Sequence, residues 1–166
     1  MTYTRRKFIQ TTALATGSFA LTGSSSARIK DGDMSAERPL FVSTWPFGKA
    51  ANERSLEIFE GGGSVLDAVE MGIHVPEADE SNASVGLGGI PNAEGVVQLD
   101  ACIMDGEGQR AGSVAGIEDI LHPISVARKV MDETKHVMLV GEGARQFALS
   151  QGCLLYTSDA ADDVAS

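Results

Sequence analysis

The sequence is short of cysteine, of basic charge and of long apolar runs, and each shortage removes a class of function. Two cysteines, Cys102 and Cys153, occur in 166 residues. That excludes a disulfide framework and a cysteine zinc site. Thirteen lysines and arginines face 23 acidic residues, for a net charge of −10. Setting aside Arg5, Arg6 and Lys7 near the start and Asp159, Asp162 and Asp163 near the end leaves the balance at −10. An acidic body repels phosphate backbones and anionic lipid, so neither nucleic acid nor a membrane surface is expected as partner. No uncharged apolar run approaches the roughly 20 residues that span a bilayer. The histidines are His74, His122 and His136, far apart and without the i,i+4 spacing of a helical metal pair. They read as single surface or core residues. What remains has the length and apolar content of one soluble domain.

The first segment differs from the rest. "TRRKFIQTTALATGSFALTGSSSA" runs from paired arginines through a weakly apolar stretch to small residues, the order of a secretory signal. Arg5-Arg6 followed by Phe8 and Ile9 resembles a twin-arginine export signal, and Ser25 and Ala27 offer a small-x-small cleavage site. Residues 1–27 are therefore expected to be a leader, and the protein to be periplasmic or secreted.

The body shows alternating helix and strand periods. "PLFVSTW" (39–45) predicts a short buried strand. "KAANERSLEIFEGGG" predicts a helix with Ala51, Leu56, Ile58 and Phe59 on one face, stopped by Gly61 to Gly63. Ser64 and Asp67 form a capping-box pattern that opens a second helix, with Pro76 as its stop. A glycine-rich loop spans Ser84 to Gly95. Val97, Leu99, Ala101 and Ile103 then alternate with Gln98, Asp100 and Cys102, predicting a hairpin that turns at Asp105 to Gly108. "HPISVARKVMDET" reads as a helix with Pro123 in its first turn and Ile124, Ala127, Val130 and Met131 inward. "HVMLVG" reads as a strand and "EGARQFALSQG" as a helix.

Several residues invite chemical readings. Gly86, Gly88 and Gly89 suggest a phosphate loop, but Pro91 stands where the third glycine belongs and no Lys-Ser or Lys-Thr follows. The glycines are better explained by a turn or a close backbone approach. Asp100 and Asp105 could be paired acids; they read instead as a hydrogen-bonding strand residue and a turn residue. Asn82-Ala83-Ser84 is formally a glycosylation sequon, idle behind a bacterial export signal. Trp45, the single tryptophan, offers a flat apolar face and an N–H donor, and fits a core anchor or a site wall equally.

Three stretches, "STWPFGKAANERSLEIFEGGGSVLDAVEMG", "SVGLGGIPNAEGVVQLDACIMDG" and "HPISVARKVMDETKHVMLVGEGARQFALSQG", resemble the α-subunit half of glycosylasparaginases. The elements around Leu66-Asp67-Ala68-Val69 and Leu99-Asp100-Ala101 also fit the isoaspartyl peptidase and asparaginase branch; "TWPF" and "SVGLGGIP" favour the first. The resemblance implies an α+β, four-layer αββα N-terminal-nucleophile hydrolase fold, present here as its N-terminal part. It implies a precursor that cuts itself before a threonine in a His-Asp-Thr motif. The freed threonine attacks the side-chain amide of a glycosylated asparagine, with its own α-amine as base and fixed donors holding the oxyanion. No metal or organic cofactor is implied. A β-subunit half is the expected partner, and full-length proteins are expected to form homo-oligomers. Trp45 matches the tryptophan that lines the substrate site, with Phe47 beside it, and Ser84 matches the serine that assists self-cleavage. The threonine nucleophile has no counterpart, because no His-Asp-Thr occurs in the chain.

After "ALSQG" the resemblance stops. "CLLYTSDAAD" reads as the translation of a transposon-end sequencing adapter, so residues 28–152 are expected to be a truncated α-subunit portion and residues 153–166 a non-biological tail. "TSDAADDVAS" has too few apolar residues to offset its ordering entropy. Nothing from Cys153 onward is expected to pack.

Overall fold

The computed structural model describes residues 39–156; the leader expected at residues 1–27 and the residues from 157 onward lie outside the described residues. Helices α1 (Gly48–Glu60) and α2 (Val65–Glu77) come first, then a 3-10 turn at Gly86–Gly88. Strands β1 (Leu99–Asp105) and β2 (Arg110–Ile117) follow, then helix α3 (Pro123–Glu133), strand β3 (Met138–Val140) and helix α4 (Gly141–Ser150). This is the mixed helix-and-strand content expected. No helix among the described residues is long and apolar enough to cross a membrane.

The local signals work as written in the sequence. Asp67 N donates to Ser64 Oγ at 3.1 Å and Ser64 N donates to Asp67 Oδ2 at 3.0 Å, so both halves of the capping box form. Gly62, at φ +92°, carries the turn between α1 and α2 that a side chain would strain. Two expectations need correction. Pro76 does not stop α2 but lies inside its last turn, and the helix runs one residue further. A proline there forfeits one backbone bond, while the Ala78 N–H still reaches His74 O at 3.0 Å. The strand expected at residues 39–45 does not form: residues 39–43 join no ladder and Leu40 is 86% exposed. β-favouring composition needs an adjacent strand to pair with, and none of the described strands pairs with it.

β1 and β2 pair antiparallel, and β2 pairs parallel with β3, giving the order β1-β2-β3. The register shifts between Leu99 and Ala101. Opposite that shift Gly116 turns at φ +58°, and Asp100 Oδ1 accepts its N–H at 2.7 Å. Asp100 is thus the hydrogen-bonding strand residue expected.

One face of the sheet is covered. Val114 and Ile117 pack with Val126 and Val130 of α3 and Ala144 and Ala148 of α4. Ile103 packs with Ile124, Ala127 and Met131, against which α2 lays Leu66, Val69 and Ile73. Each fully buried aliphatic side chain of this kind contributes about 1.5–3 kcal/mol. Gly112 lets α3 rest on the strand itself, since a Cβ there would lie 2.1 Å from Ala127 O and 2.5 Å from Met131 N. On the opposite face Cys102, Met104, Met138 and Val140 are exposed, while Ser113 in the middle of the row is buried and donates its Oγ hydrogen to Val137 O at 2.8 Å. The described residues hold one sheet, where the four-layer expectation has two.

The expectation that everything from Cys153 packs against nothing is also corrected. Cys153 abuts the first core, Ile120 bridges Leu155, and Tyr156 N donates to Asp119 O at 2.8 Å. Leu121 N donates to Leu154 O at 3.2 Å. Apart from Cys153 these contacts are made by the backbone, which every sequence carries, while the side chains of Leu154 to Tyr156 remain exposed.

Candidate active site

A cavity of about 550 Å³ opens where the entry to α1, the end of α2, the glycine loop and β1 meet. Trp45, Phe47 and Ser84 all border it. The turn that begins α1 places the aromatics: Gly48 N donates to Trp45 O at 2.9 Å, and Ser43 Oγ donates to Asn52 Oδ1 at 2.6 Å, tying the incoming chain to the helix. Trp45 is 63% exposed. It is a wall of the cavity among the described residues and anchors no core.

Ser84 is set by a different device. Asn82 is buried and its Oδ1 accepts the Ser84 N–H at 3.0 Å, an Asx turn that aims the loop. Gly86 follows at φ +65°, and a Cβ on it would lie 2.0 Å from Glu77 O. The glycine therefore serves a close backbone approach, as the failed phosphate-loop spacing indicated. Among the described residues no side chain is hydrogen-bonded to Ser84 Oγ, so the hydroxyl has no base to activate it.

Glu77, Asp100, Cys102, Pro123 and Ile124 complete the working part of the wall. Sequence reasoning missed Glu77, which is buried at the end of α2. Its Oε1 accepts the Ile124 N–H at 3.0 Å and its Oε2 faces His122 Nδ1 at 3.1 Å. Burial pushes its carboxyl upward, opposed by the hydrogen bonds from His122 and Ile124. His122 in turn stacks on His74, ring centroids 3.7 Å apart and planes 10° from parallel. Loss of solvation, with the neighbouring His122, lowers the His74 pKa to about 4. The reading of two unrelated histidines is thus corrected. Their 48-residue separation hid a contact that α2 and α3 create. The one local signal was the i,i+3 spacing of His74 and Glu77 on one helical face.

The arrangement supplies aromatic walls, an exposed hydroxyl, a carboxylate and a thiol around a space sized for a small polar molecule.

A family model described as asparaginase matches residues 20–163, a span that overlaps both the end of the expected leader and most of the expected tail. The chain is 47% identical over 154 residues to an N(4)-(beta-N-acetylglucosaminyl)-L-asparaginase of Elizabethkingia miricola, across 92% of this chain and 45% of that protein. It is 46% identical over 114 residues to the protein of the same name from Rattus norvegicus, covering 69% and 33%. An isoaspartyl peptidase of Salmonella typhimurium is 40% identical over 107 residues, covering 64% and 34%. The chain spans less than half the length of these curated relatives.

Proposed function

The chain belongs to the asparaginase family, and from that premise we propose that it is the N-terminal portion of a self-cleaving amidohydrolase acting on the N-acetylglucosamine–asparagine amide bond. The observation that carries this reading is the shared cavity of Trp45, Phe47 and Ser84, residues singled out from two separate stretches of sequence. The relatives named for that substrate support the choice of bond.

In this reading a threonine outside these 166 residues becomes a chain start and attacks the amide carbonyl carbon. Its α-amine takes the hydroxyl proton and returns one to the departing glycosylamine nitrogen; water then hydrolyses the ester left on the threonine. Trp45 and Phe47 wall the substrate, and Ser84 acts on the self-cleavage that frees the nucleophile. The uncovered sheet face around Cys102, Met104 and Met138 supports a second sheet stacked there, as four layers require. Residues 1–27 serve as a twin-arginine leader to the periplasm, residues 28–152 are the α-subunit portion, and residues 153–166 are foreign to the gene. The full-length protein pairs with itself, and the chain as written is inert. A second reading, hydrolysis of β-aspartyl peptides or L-asparagine, draws on the relatives named isoaspartyl peptidase and plant-type L-asparaginase.

The test is a full-length protein restored past Gly152, assayed on glycosylated asparagine, a β-aspartyl dipeptide and L-asparagine. Preference for the first supports the proposal; preference for the dipeptide transfers it to the second reading. Ser84→Ala should leave one uncut precursor band on a denaturing gel, and normal maturation would remove the serine from the mechanism. Trp45→Phe should lower turnover about tenfold with little change in Tm, because ring volume is largely kept while the N–H donor is lost.

A further inference from the structure

A cluster of side chains that reaches the cavity wall at Glu77 is given no step in the reaction proposed above. We propose that His74, Glu77 and His122 form a binding site for a divalent transition-metal ion, with zinc the best match. One ligand atom of each residue lies within 4.8 Å of the other two. Two imidazole nitrogens and one carboxylate oxygen make a donor set that suits zinc and neighbouring borderline ions. The ligands come from two elements, His74 and Glu77 from α2 and His122 from the N-cap of α3.

The surrounding hydrogen bonds leave suitable atoms free. Ser125 Oγ donates to Glu70 Oε1 at 2.6 Å, so its proton is committed, and it accepts from His74 Nε2 at 2.7 Å. His74 therefore carries its proton on Nε2 and presents a lone pair on Nδ1. A carboxylate-backed donor chain of this kind orients a metal-binding histidine and raises its basicity. Glu77 Oε1 is occupied by the Ile124 amide, leaving Oε2 opposite His122 Nδ1 at 3.1 Å. Two ligands bound at about 2.0–2.1 Å on one tetrahedral ion sit roughly 3.3 Å apart. An ion entering there replaces the shared hydrogen. The proton on His122 Nδ1 passes to water as another from water binds Nε2, an exchange of tautomer that frees Nδ1 for the ion.

The ring stack sets the condition. Lone pairs lie in the ring planes, and planes 10° from parallel point theirs side by side instead of at one centre. Binding must tilt one ring out of the stack. His74 is held from behind by Ser125, so His122 is the ring that moves. The bound ion would then join α2 to the start of α3, adding stability in place of catalysis.

The complete 166-residue chain, titrated calorimetrically with zinc, should bind one ion per chain with a Kd near or below about 10 μM. His74→Ala or His122→Ala should weaken binding at least 30-fold, and Ser125→Ala about tenfold. His136→Ala should change nothing. No binding below about 1 mM, or full affinity retained in His122→Ala, would overturn the proposal. Because either ligand variant can loosen the packing of α2 on α3, X-ray absorption of the zinc-loaded unaltered chain gives an independent reading. Two imidazoles and an oxygen in the coordination shell support the site. Sulfur from Cys102 or Cys153, or a single imidazole, sinks it.

Discussion

The two faces of the sheet are built from similar residues and have opposite fates. On one, Ile117 is fully buried beneath α3 and α4. On the other, Met104 is 72% exposed and Val140 60% exposed. Apolar composition alone therefore does not decide what stabilises this chain. A side chain contributes when helices exclude water from it, and contributes almost nothing when the same kind of group faces solvent.

That contrast can be broken most forcefully at Ile117. Ile117→Ala should destabilise by about 4 kcal/mol, through lost transfer free energy and the cavity left between β2 and the helices. Urea unfolding of the complete chain, followed by circular dichroism, gives the value; a loss under about 1 kcal/mol would mean that the covered face is not the stabilising one. Gly112→Ala tests the same face by addition. Its methyl must displace the backbone of α3 at Ala127 and Met131, with an expected loss of about 2 kcal/mol. An unchanged midpoint would show that the helix rides higher on the strand. The smallest effect belongs to the open face, where Met104→Ser with Val140→Thr should shift stability by no more than about 0.5 kcal/mol. In a restored full-length protein the same pair should cost more than about 2 kcal/mol if a second sheet covers that face. Equal, small effects in both proteins would count against four layers.

The sequence announced the covered face better than the site. Alternation from Leu99 to Ile103 and the inward stripe of α3 are local patterns, and so is the Ser64–Asp67 capping box. The structure realises each of them. Residues 39–45 carried a strand-like composition without the partner a strand requires, and Pro76 a stop signal that a last helical turn can absorb. Neither context is written in neighbouring residues. The convergence of Trp45 and Phe47 with Ser84 came from resemblance, because the aromatic turn and the serine loop are separate stretches with no spacing rule between them. The stack of His74 on His122 and the pairing of Leu155 with Ile120 depend on contacts across the folded chain, which no local pattern encodes.

The position of β2 between its two neighbours also implies an order in time. Four residues separate β1 from β2, so this hairpin closes a short loop, an event of about 1–10 μs. β3 meets β2 in parallel, joining Ser113 to Met138 only once α3 has crossed over the sheet. Three residues long and paired on one side among the described strands, β3 should dock late and open first. Its amide protons should then exchange with solvent through local opening. Those in the middle of β2, held from both flanks, should wait for the whole chain to unfold.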